Sequence, residues 1–198
     1  MDFMNYIFIC HDLIELPRRF YPKGVAVNEF RFDVELSNAG KWKNIHGMLL
    51  RQGPYADDSL FWFPDPDLEF AADLPGELFS VMRAREMNLA QPSLTKDSIC
   101  HWKELFHQEH GDNSRPVPHC EIMMPCFSMA ALRRNLWTFN LNHSGFGIDL
   151  LWGAREDCYV LDWLQVRHPS SPDYTNTARE YGFPDPNREL AEIKRLYL

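Results

Sequence analysis

Ser-Leu-Phe-Trp-Phe-Pro-Asp-Pro-Asp-Leu-Glu-Phe, residues 59–70, is the stretch from which the fold can be predicted. Its first five residues are a nearly continuous apolar and aromatic run, which indicates a strand buried in the middle of a sheet. Pro64 lacks the N–H that a sheet ladder needs, so we expect the strand to end before it. Asp65 and Asp67 follow, and residues two apart in an extended segment point the same way. The stretch therefore predicts two carboxylates at the carboxyl end of a central strand, where open α/β sheets bind ligands.

The two carboxylates permit two interpretations. Paired hard oxygen ligands suit Mn²⁺ or Mg²⁺, and such an ion in turn suits a diphosphate. Pro and Asp are also common in turns for purely local reasons. A polar turn that merely ends the strand is therefore the alternative that this stretch leaves open.

The elements around this stretch predict an α/β fold. A glycine-bearing turn leads from a strand at 30–36 into a helix at about 43–51, and a second helix follows Asp73 and reaches about residue 87. Residues 89–94 then indicate strand and turn. A β–α–β order thus surrounds the two aspartates, which favours a sheet that is mainly parallel.

Four further polar residues occur where strands or helices begin or end. Lys41 lies in the turn before the first helix, where it either faces a phosphate or is an ordinary solvated lysine. Glu121 opens an apolar run at 121–127 that indicates a buried strand, and either lies at a solvated rim or faces a cleft. Asp149 is predicted in the first turn of a helix, where it is either a capping residue or a catalytic base. His168 ends an alternating strand at 158–168 and is either structural or a metal ligand.

The segment 97–120 is rich in histidine and cysteine, which raises the possibility of a zinc site. Nitrogen and sulfur are the ligands that zinc prefers, but their spacing here matches no common zinc motif. The residues are Cys100, His101, His107, His110, His119 and Cys120.

Composition excludes several classes of protein. A chain of 198 residues with 45% hydrophobic residues is expected to fold as one domain, residues 1–198. The net charge of −8 argues against a nucleic-acid partner. Five cysteines without a Cys-x-x-Cys pair fit reduced thiols and a cytoplasmic location. We find no signal peptide and no transmembrane segment, although a peripheral place at the inner face of a membrane stays open.

The ordered series of motifs resembles a bacterial family similar to nucleotide-sugar glycosyltransferases of the GT-A type. The resemblance covers roughly residues 30–198. The motifs are Gly-Lys-Trp at 40–42, Trp-Phe-Pro-Asp-Pro-Asp-Leu at 62–68, Ala-Gln-Pro-Ser-Leu-Thr at 90–95, Glu-Ile-Met-Met-Pro-Cys-Phe at 121–127, Ser-Gly-Phe-Gly-Ile-Asp at 144–149 and Val-Arg-His at 166–168.

This resemblance implies a role for each candidate residue. It implies that Asp65 and Asp67 hold Mn²⁺ or Mg²⁺ against the donor diphosphate, with His168 as a third ligand. It further implies that Asp149 is the base that deprotonates the acceptor, with Glu121 on the acceptor side. It also implies that Lys41 and Trp62 contact the nucleotide-sugar donor.

The resemblance implies a GT-A-like α/β fold with a mixed, mainly parallel sheet flanked by helices, and with an abridged N-terminal half. The expected activity is transfer of a sugar from a nucleotide-diphosphate donor to a glycan, lipid-linked saccharide or other hydroxyl acceptor. The alternatives are a non-catalytic binder of sugar nucleotide or glycan, another metal-dependent enzyme acting on phosphate esters, and a zinc-stabilised interaction protein.

Overall fold

The computed structural model describes residues 5–11, 27–33, 40–109, 114–169 and 174–198, the first two by their backbone only. In these ranges a single mixed sheet of eight strands is flanked by six α-helices. The strands are β1 Asn5–His11, β2 Val27–Asp33, β3 Leu60–Trp62, β4 Glu69–Phe70, β5 Leu89–Leu94, β6 Ser114–Val117, β7 Cys126–Ser128 and β8 Cys158–Arg167. The helices are α1 Gly40–Gln52, α2 Leu74–Ala84, α3 Met129–Asn135, α4 Ile148–Gly153, α5 Tyr174–Tyr181 and α6 Pro186–Tyr197.

The strand order is β2-β1-β3-β7-β5-β8-β4, and β6 pairs with the first residues of β8. The pairs β1–β2, β1–β3 and β5–β8 are parallel, whereas β7 is antiparallel to both β3 and β5. β4 and β6 are also antiparallel to β8. The expected mixed sheet is therefore present in the described strands, with three parallel and four antiparallel strand pairs, and the reversed strand β7 lies between the two parallel groups.

The central strand β3 is buried on both faces, as its apolar sequence predicts. Successive side chains alternate between two hydrophobic clusters, because neighbouring residues in a strand point to opposite faces. Trp62 packs in one cluster with α2, which contributes Leu78 and Met82. Phe61 and Phe63 pack in the other cluster with α1, α3 and α4.

Aromatic rings make up the centre of the second cluster. The Trp42 ring lies 4.6 Å from that of Phe139 and 4.9 Å from that of Trp152, in edge-to-face contact. Phe63 and Phe127 extend the same group. These rings hold α1 and α4 against the strand β3, so the helices that carry Lys41 and Asp149 are anchored by a rigid apolar layer.

The predicted helix caps and the predicted strand at 121–127 are confirmed only in part. The sequence predicts Ser128 as the cap of a helix that begins at Met129, and the structure confirms it, since the Ser128 hydroxyl oxygen accepts a hydrogen bond from the N–H of Ala131. Asp73 precedes α2 but makes no side-chain capping bond. The strand predicted at 121–127 is wrong except at its end, because β7 begins only at Cys126, after Pro125.

Other elements were not predicted or are not described. The sequence also predicts a strand at 6–10, a helix from Met129 to about residue 137 and a final amphipathic helix from Asn187, which correspond to β1, α3 and α6, whereas β4, β6 and α5 have no predicted counterpart. The sequence predicts a loop at 12–24, and that segment lies outside the described residues, as do the last three residues of the strand predicted at 30–36. None of the helices in the described ranges is long and apolar enough to span a bilayer.

Candidate active site

The candidate site lies at the carboxyl end of β3, where the loop before β7 meets it. Because β7 runs antiparallel to β3, the residues that precede β7 lie beside those that follow β3. The N–H of Phe63 donates to the carbonyl of Pro125 at 3.1 Å, and the N–H of Asp65 donates to the carbonyl of Met123 at 2.7 Å. β8 is parallel to β5 and ends at this same edge of the sheet, so His168 follows it there.

Lys41, in the first turn of α1, binds the end of β3 through its ammonium group. Nζ donates to Oδ1 of Asp65 at 2.6 Å, to the carbonyl of Phe63 at 3.0 Å and to the carbonyl of Ile122 at 2.9 Å. An ammonium group has three N–H donors, and these three acceptors use all of them. Lys41 therefore joins α1, β3 and the loop before β7, and a phosphate would have to displace one of these acceptors to bind it.

Asp65 is consequently paired with a cation that belongs to the protein. Burial raises the pKa of the Asp65 carboxyl, while the charge and hydrogen bond of Lys41 act to lower it. Asp67 and His168 also act electrostatically on Asp65, so the three predicted metal ligands are neighbours. Asp65 faces the ammonium group, and Asp67 faces His168.

The imidazole of His168 is oriented by the segment that follows β5. Nδ1 lies 2.6 Å from the carbonyl oxygen of Ile99, and the backbone N–H of His168 donates to the Ser98 hydroxyl at 3.0 Å. Because a carbonyl oxygen only accepts, Nδ1 must carry a proton. Nε2 then faces Oδ2 of Asp67 at 3.3 Å.

Two lone pairs would oppose each other at this contact if the imidazole were neutral. A positive charge between Nε2 and Oδ2 removes the conflict, either as a proton on the imidazole or as a metal ion. Burial acts to lower the pKa of His168, but the hydrogen bonds to Asp67 and Ile99 and the charges of Asp67 and Asp65 outweigh it and raise that pKa. The arrangement selects for a cation at Nε2.

The donor set of this pair fits Mn²⁺ or Mg²⁺ in part. A histidine whose Nδ1–H is held by a carbonyl, with Nε2 beside a carboxylate, is a common metal-ligand arrangement. The complete triad of Asp65, Asp67 and His168 is not assembled, since Asp65 is bound to Lys41. No group of three His, Cys, Asp or Glu side chains in the described ranges is arranged as a metal site.

Glu121 and Asp149 bring two more carboxyl groups to the same region. Burial and the charges of Asp149 and Asp65 raise the pKa of Glu121 to about 8. Burial raises the pKa of Asp149 to about 6, although backbone N–H groups and Lys194 oppose the rise. Asp149 is 5% exposed and accepts a hydrogen bond from the N–H of Leu150 in the first turn of α4. The geometry is consistent with both of its predicted roles.

Trp62 and Trp152 lie in the core and are fully buried. The indole N–H of Trp62 donates to the carbonyl of Met124, and that of Trp152 donates to the hydroxyl of Thr138. Trp62 therefore binds the loop before β7 from within the core. Its ring has no exposed face, so the expected contact with a nucleotide-sugar donor is not made by this ring.

The candidate zinc residues are dispersed. Nδ1 of His107 lies 2.8 Å from the carbonyl oxygen of Asp162, and His119 packs edge-on against Trp102. Cys120 is buried beside Cys158. Burial raises the pKa of the Cys120 thiol, and the neighbouring Cys158 thiol raises it further. His110 lies outside the described residues.

Sequence reasoning missed the residues that orient the others. Ser98 and Ile99, which fix the imidazole of His168, belong to an irregular segment without a motif. Glu189 of α6, whose carboxylate accepts from the backbone of the loop before α4, is predicted only as one residue of the final amphipathic helix. These contacts join segments far apart in the chain, and no local pattern signals them.

Comparison with known proteins gives structural likeness at low sequence identity. No family model matches the chain, and no curated protein matches it. The crystal structure of S. aureus TarS has a TM-score of 0.54 at 11% identity, over 98% of this chain and 43% of that one. A197 from STIV has a TM-score of 0.46 at 12% identity, over 85% of this chain and 86% of that one.

TarS 1-349 in complex with UDP has a TM-score of 0.43 at 12% identity, over 84% of this chain and 54% of that one. The likeness to the longer TarS chain concerns the fold alone. This chain spans less than half of that TarS chain.

Proposed function

We propose that this chain is a metal-dependent glycosyltransferase with an abridged GT-A-like fold. In this proposal it transfers a sugar from a nucleotide-diphosphate donor to a hydroxyl of a glycan or a lipid-linked saccharide, in the cytoplasm. The observation that carries the proposal is the contact between Nε2 of His168 and Oδ2 of Asp67, at the edge of the sheet where Asp65, Glu121 and Asp149 converge. This contact is stable only with a positive charge between the two atoms, and the surrounding carboxyl groups are those that would face the donor and the acceptor.

The charge of the site supports a divalent ion as part of the donor complex. Among the described residues, the carboxylates of Asp65, Asp67 and Asp149 are opposed by Lys41, which is already bound to Asp65, and by Lys194, which acts on Asp149. A diphosphate brought to such a site would meet like charges unless a cation came with it. Asp67 and His168 are the residues that would hold Mn²⁺ or Mg²⁺, and the ion when bound stabilises the charge of the departing diphosphate.

The two raised pKa values divide the acid–base roles between Asp149 and Glu121. At neutral pH, Asp149, with a pKa of about 6, is mostly ionised and accepts the proton of the acceptor hydroxyl. Glu121, with a pKa of about 8, is mostly protonated and donates a hydrogen bond to the bound sugar or acceptor. Two carboxyl groups whose surroundings separate their pKa values commonly have separate roles in one reaction.

The fold is compatible with this chemistry. TarS is a glycosyltransferase, and its likeness to this chain extends over 98% of the residues. The likeness identifies neither the sugar nor the acceptor, so the proposal rests on the carboxylates, the histidine and their contacts.

Donor turnover with and without metal tests the proposal. The wild type, Asp67→Asn and His168→Gln would be incubated with a panel of sugar nucleotides in Mn²⁺ and in EDTA, and release of nucleoside diphosphate would be measured. Asp57→Asn is the matched control, since the Asp57 side chain is 86% exposed and pairs only with Arg133 among the described contacts. We expect Mn²⁺-dependent release in the wild type and the control, and its loss in the two site variants.

Two results would count against the proposal. Turnover that persists in EDTA and in Asp67→Asn would show that the reaction does not depend on a metal ion at this site. Tight donor binding without turnover would favour the non-catalytic binding protein. The zinc-stabilised alternative has no support in the part of the chain that the structure describes, where the cysteines and histidines do not converge.

A further inference from the structure

The loop at 142–147 that leads into α4 is held by a buried carboxylate of α6. Oε1 of Glu189 accepts from the backbone N–H of His143 at 2.8 Å, and Oε2 accepts from that of Ser144 at 2.8 Å. Glu189 is only 8% exposed. Hydrogen bonds to an ionised acceptor are strong, and a buried carboxylate that lost them would be left without compensation. The two bonds therefore bind the loop to α6 tightly.

α6 also approaches the residue at which α4 begins. Gly147 precedes α4 with a φ of +89°, and a Cβ built there would lie 3.0 Å from Leu190 and 3.1 Å from Ile193. Lys194 of the same helix acts electrostatically on Asp149. α6 thus reaches the start of α4 by hydrogen bonds, by van der Waals contact and by charge.

The opposite side of the loop packs against α1. A Cβ on Gly40 would lie 2.1 Å from the carbonyl oxygen of His143, and a Cβ on Gly145 would lie 2.5 Å from the Trp42 ring. The loop is therefore enclosed between α6 and the first turn of α1, which carries Lys41. The loop thus contacts the helix that carries Lys41 and leads directly into the helix that carries Asp149.

We propose that Glu189 is a positioning residue, which holds the loop at 142–147 so that Asp149 meets the acceptor hydroxyl. In this role Glu189 touches neither substrate nor metal. The inference rests on the proposed function, because it assigns α6 to the acceptor half of the reaction while Asp67 and His168 serve the donor half.

Glu192 provides a matched control on the same helix. Its side chain is 52% exposed and pairs with Arg188 one turn earlier. Glu189→Ala and Glu192→Ala each remove one carboxylate, the first from the contact with the loop and the second from the solvent-exposed face of α6. Glu189→Gln keeps the size of the side chain, but its amide oxygen can hold both N–H groups only weakly, and its NH₂ group cannot accept.

The first measurement does not depend on activity. Hydrogen exchange of the 198-residue chain would be followed in peptides that cover 142–150. We expect exchange at His143 and Ser144 to accelerate by about tenfold or more in Glu189→Ala, as for a local opening, with no change in Glu192→Ala. Unchanged protection in a folded Glu189→Ala protein would overturn the inference. If Glu189→Ala does not fold, Glu189→Gln should show a smaller acceleration at the same amides.

The second measurement separates the two halves of the reaction. Glu189→Ala should bind a nucleoside diphosphate with Mn²⁺ within about twofold of the wild type, while kcat for transfer falls by roughly 10²-fold, as expected from a misplaced reacting group. The acid limb of the pH profile should also move to lower pH, because a less buried Asp149 loses the rise in its pKa. A variant that is merely less folded would lose binding and transfer together.

Failure of the inference can be told from failure of the proposed function. A wild-type protein without turnover on any donor overturns the proposed function and with it the catalytic role of Glu189, while the exchange result still decides whether Glu189 holds the loop. An active wild type with an equally active Glu189→Ala overturns the positioning role alone.

Discussion

Replacing Glu121 by glutamine is expected to stabilise the protein at pH 8 and to change its stability little at pH 5. Glutamine keeps the shape of the side chain but cannot ionise. Burial and the charges of Asp149 and Asp65 raise the pKa of Glu121 from 4.5 to about 8. The folded protein therefore holds this proton more tightly than the unfolded chain, and the free energy of unfolding falls as the pH rises from about 4.5 to about 8.

The size of the effect follows from this pKa. A rise from 4.5 to about 8 corresponds to at most about 4 kcal/mol at pH 8 and to less than about 1 kcal/mol at pH 5. Glu121 is only half-buried, so water and local relaxation reduce the cost of its charge. We therefore expect Glu121→Gln to gain about 2 kcal/mol over the wild type between pH 5 and pH 8.

Urea unfolding at pH 5, 6.5 and 8 measures this difference. EDTA must be present, because a divalent ion would neutralise part of the carboxyl cluster. Glu180→Gln is the control, since Glu180 is exposed on α5 and its substitution should leave the pH dependence unchanged. Parallel stability curves for the wild type and Glu121→Gln across this range would refute the reasoning, because Glu121 would then be ionised at no cost.

Three further predictions concern the cation contacts and the loop. The apparent Kd for Mn²⁺, measured by calorimetry, should rise about tenfold from pH 6 to pH 5, because the raised pKa of His168 makes a proton compete for Nε2, and this dependence should vanish in His168→Gln. Lys41→Met should lower the free energy of unfolding at pH 7 by about 3 kcal/mol, measured in urea, because Asp65 loses its cation, and Lys41→Arg should lose less. Gly145→Ala should lower the melting temperature by several degrees, measured by calorimetry, because the new Cβ meets the Trp42 ring at a φ of +81°.

Features that depend only on neighbouring residues in the chain could be predicted from the sequence. The apolar run of β3 and the Pro-Asp-Pro-Asp that follows it indicate a buried strand with carboxylates at its end, and the structure has both. The place of His168 at the end of a long alternating strand is predicted by the sequence, and β8 ends directly before it. Each of these inferences uses only neighbours in the chain, where the period of side chains or the chemistry of proline decides the structure.

The remaining features depend on contacts across the chain. Periodicity carries no strand direction, so the reversal of β7 could not be predicted, and with it the approach of Glu121 to Asp65. Lys41 binds carbonyls 22 and 81 residues away, and no motif indicates that all three of its donors are used. Trp62 belongs to a conspicuous motif, yet alternation in β3 turns its ring into the core.

The pairing of residues 63–65 with 123–125 fixes a distance along the chain. Surface loops ordinarily accept insertions at small cost. Here two backbone hydrogen bonds, from Phe63 to Pro125 and from Asp65 to Met123, continue the β3–β7 ladder beyond its last strand residue. An extra residue between 121 and 126 would slide Glu121 out of line with Asp65 and draw Ile122 away from Lys41 at the same time. The number of residues in this segment is therefore as much a part of the site as the identity of its side chains.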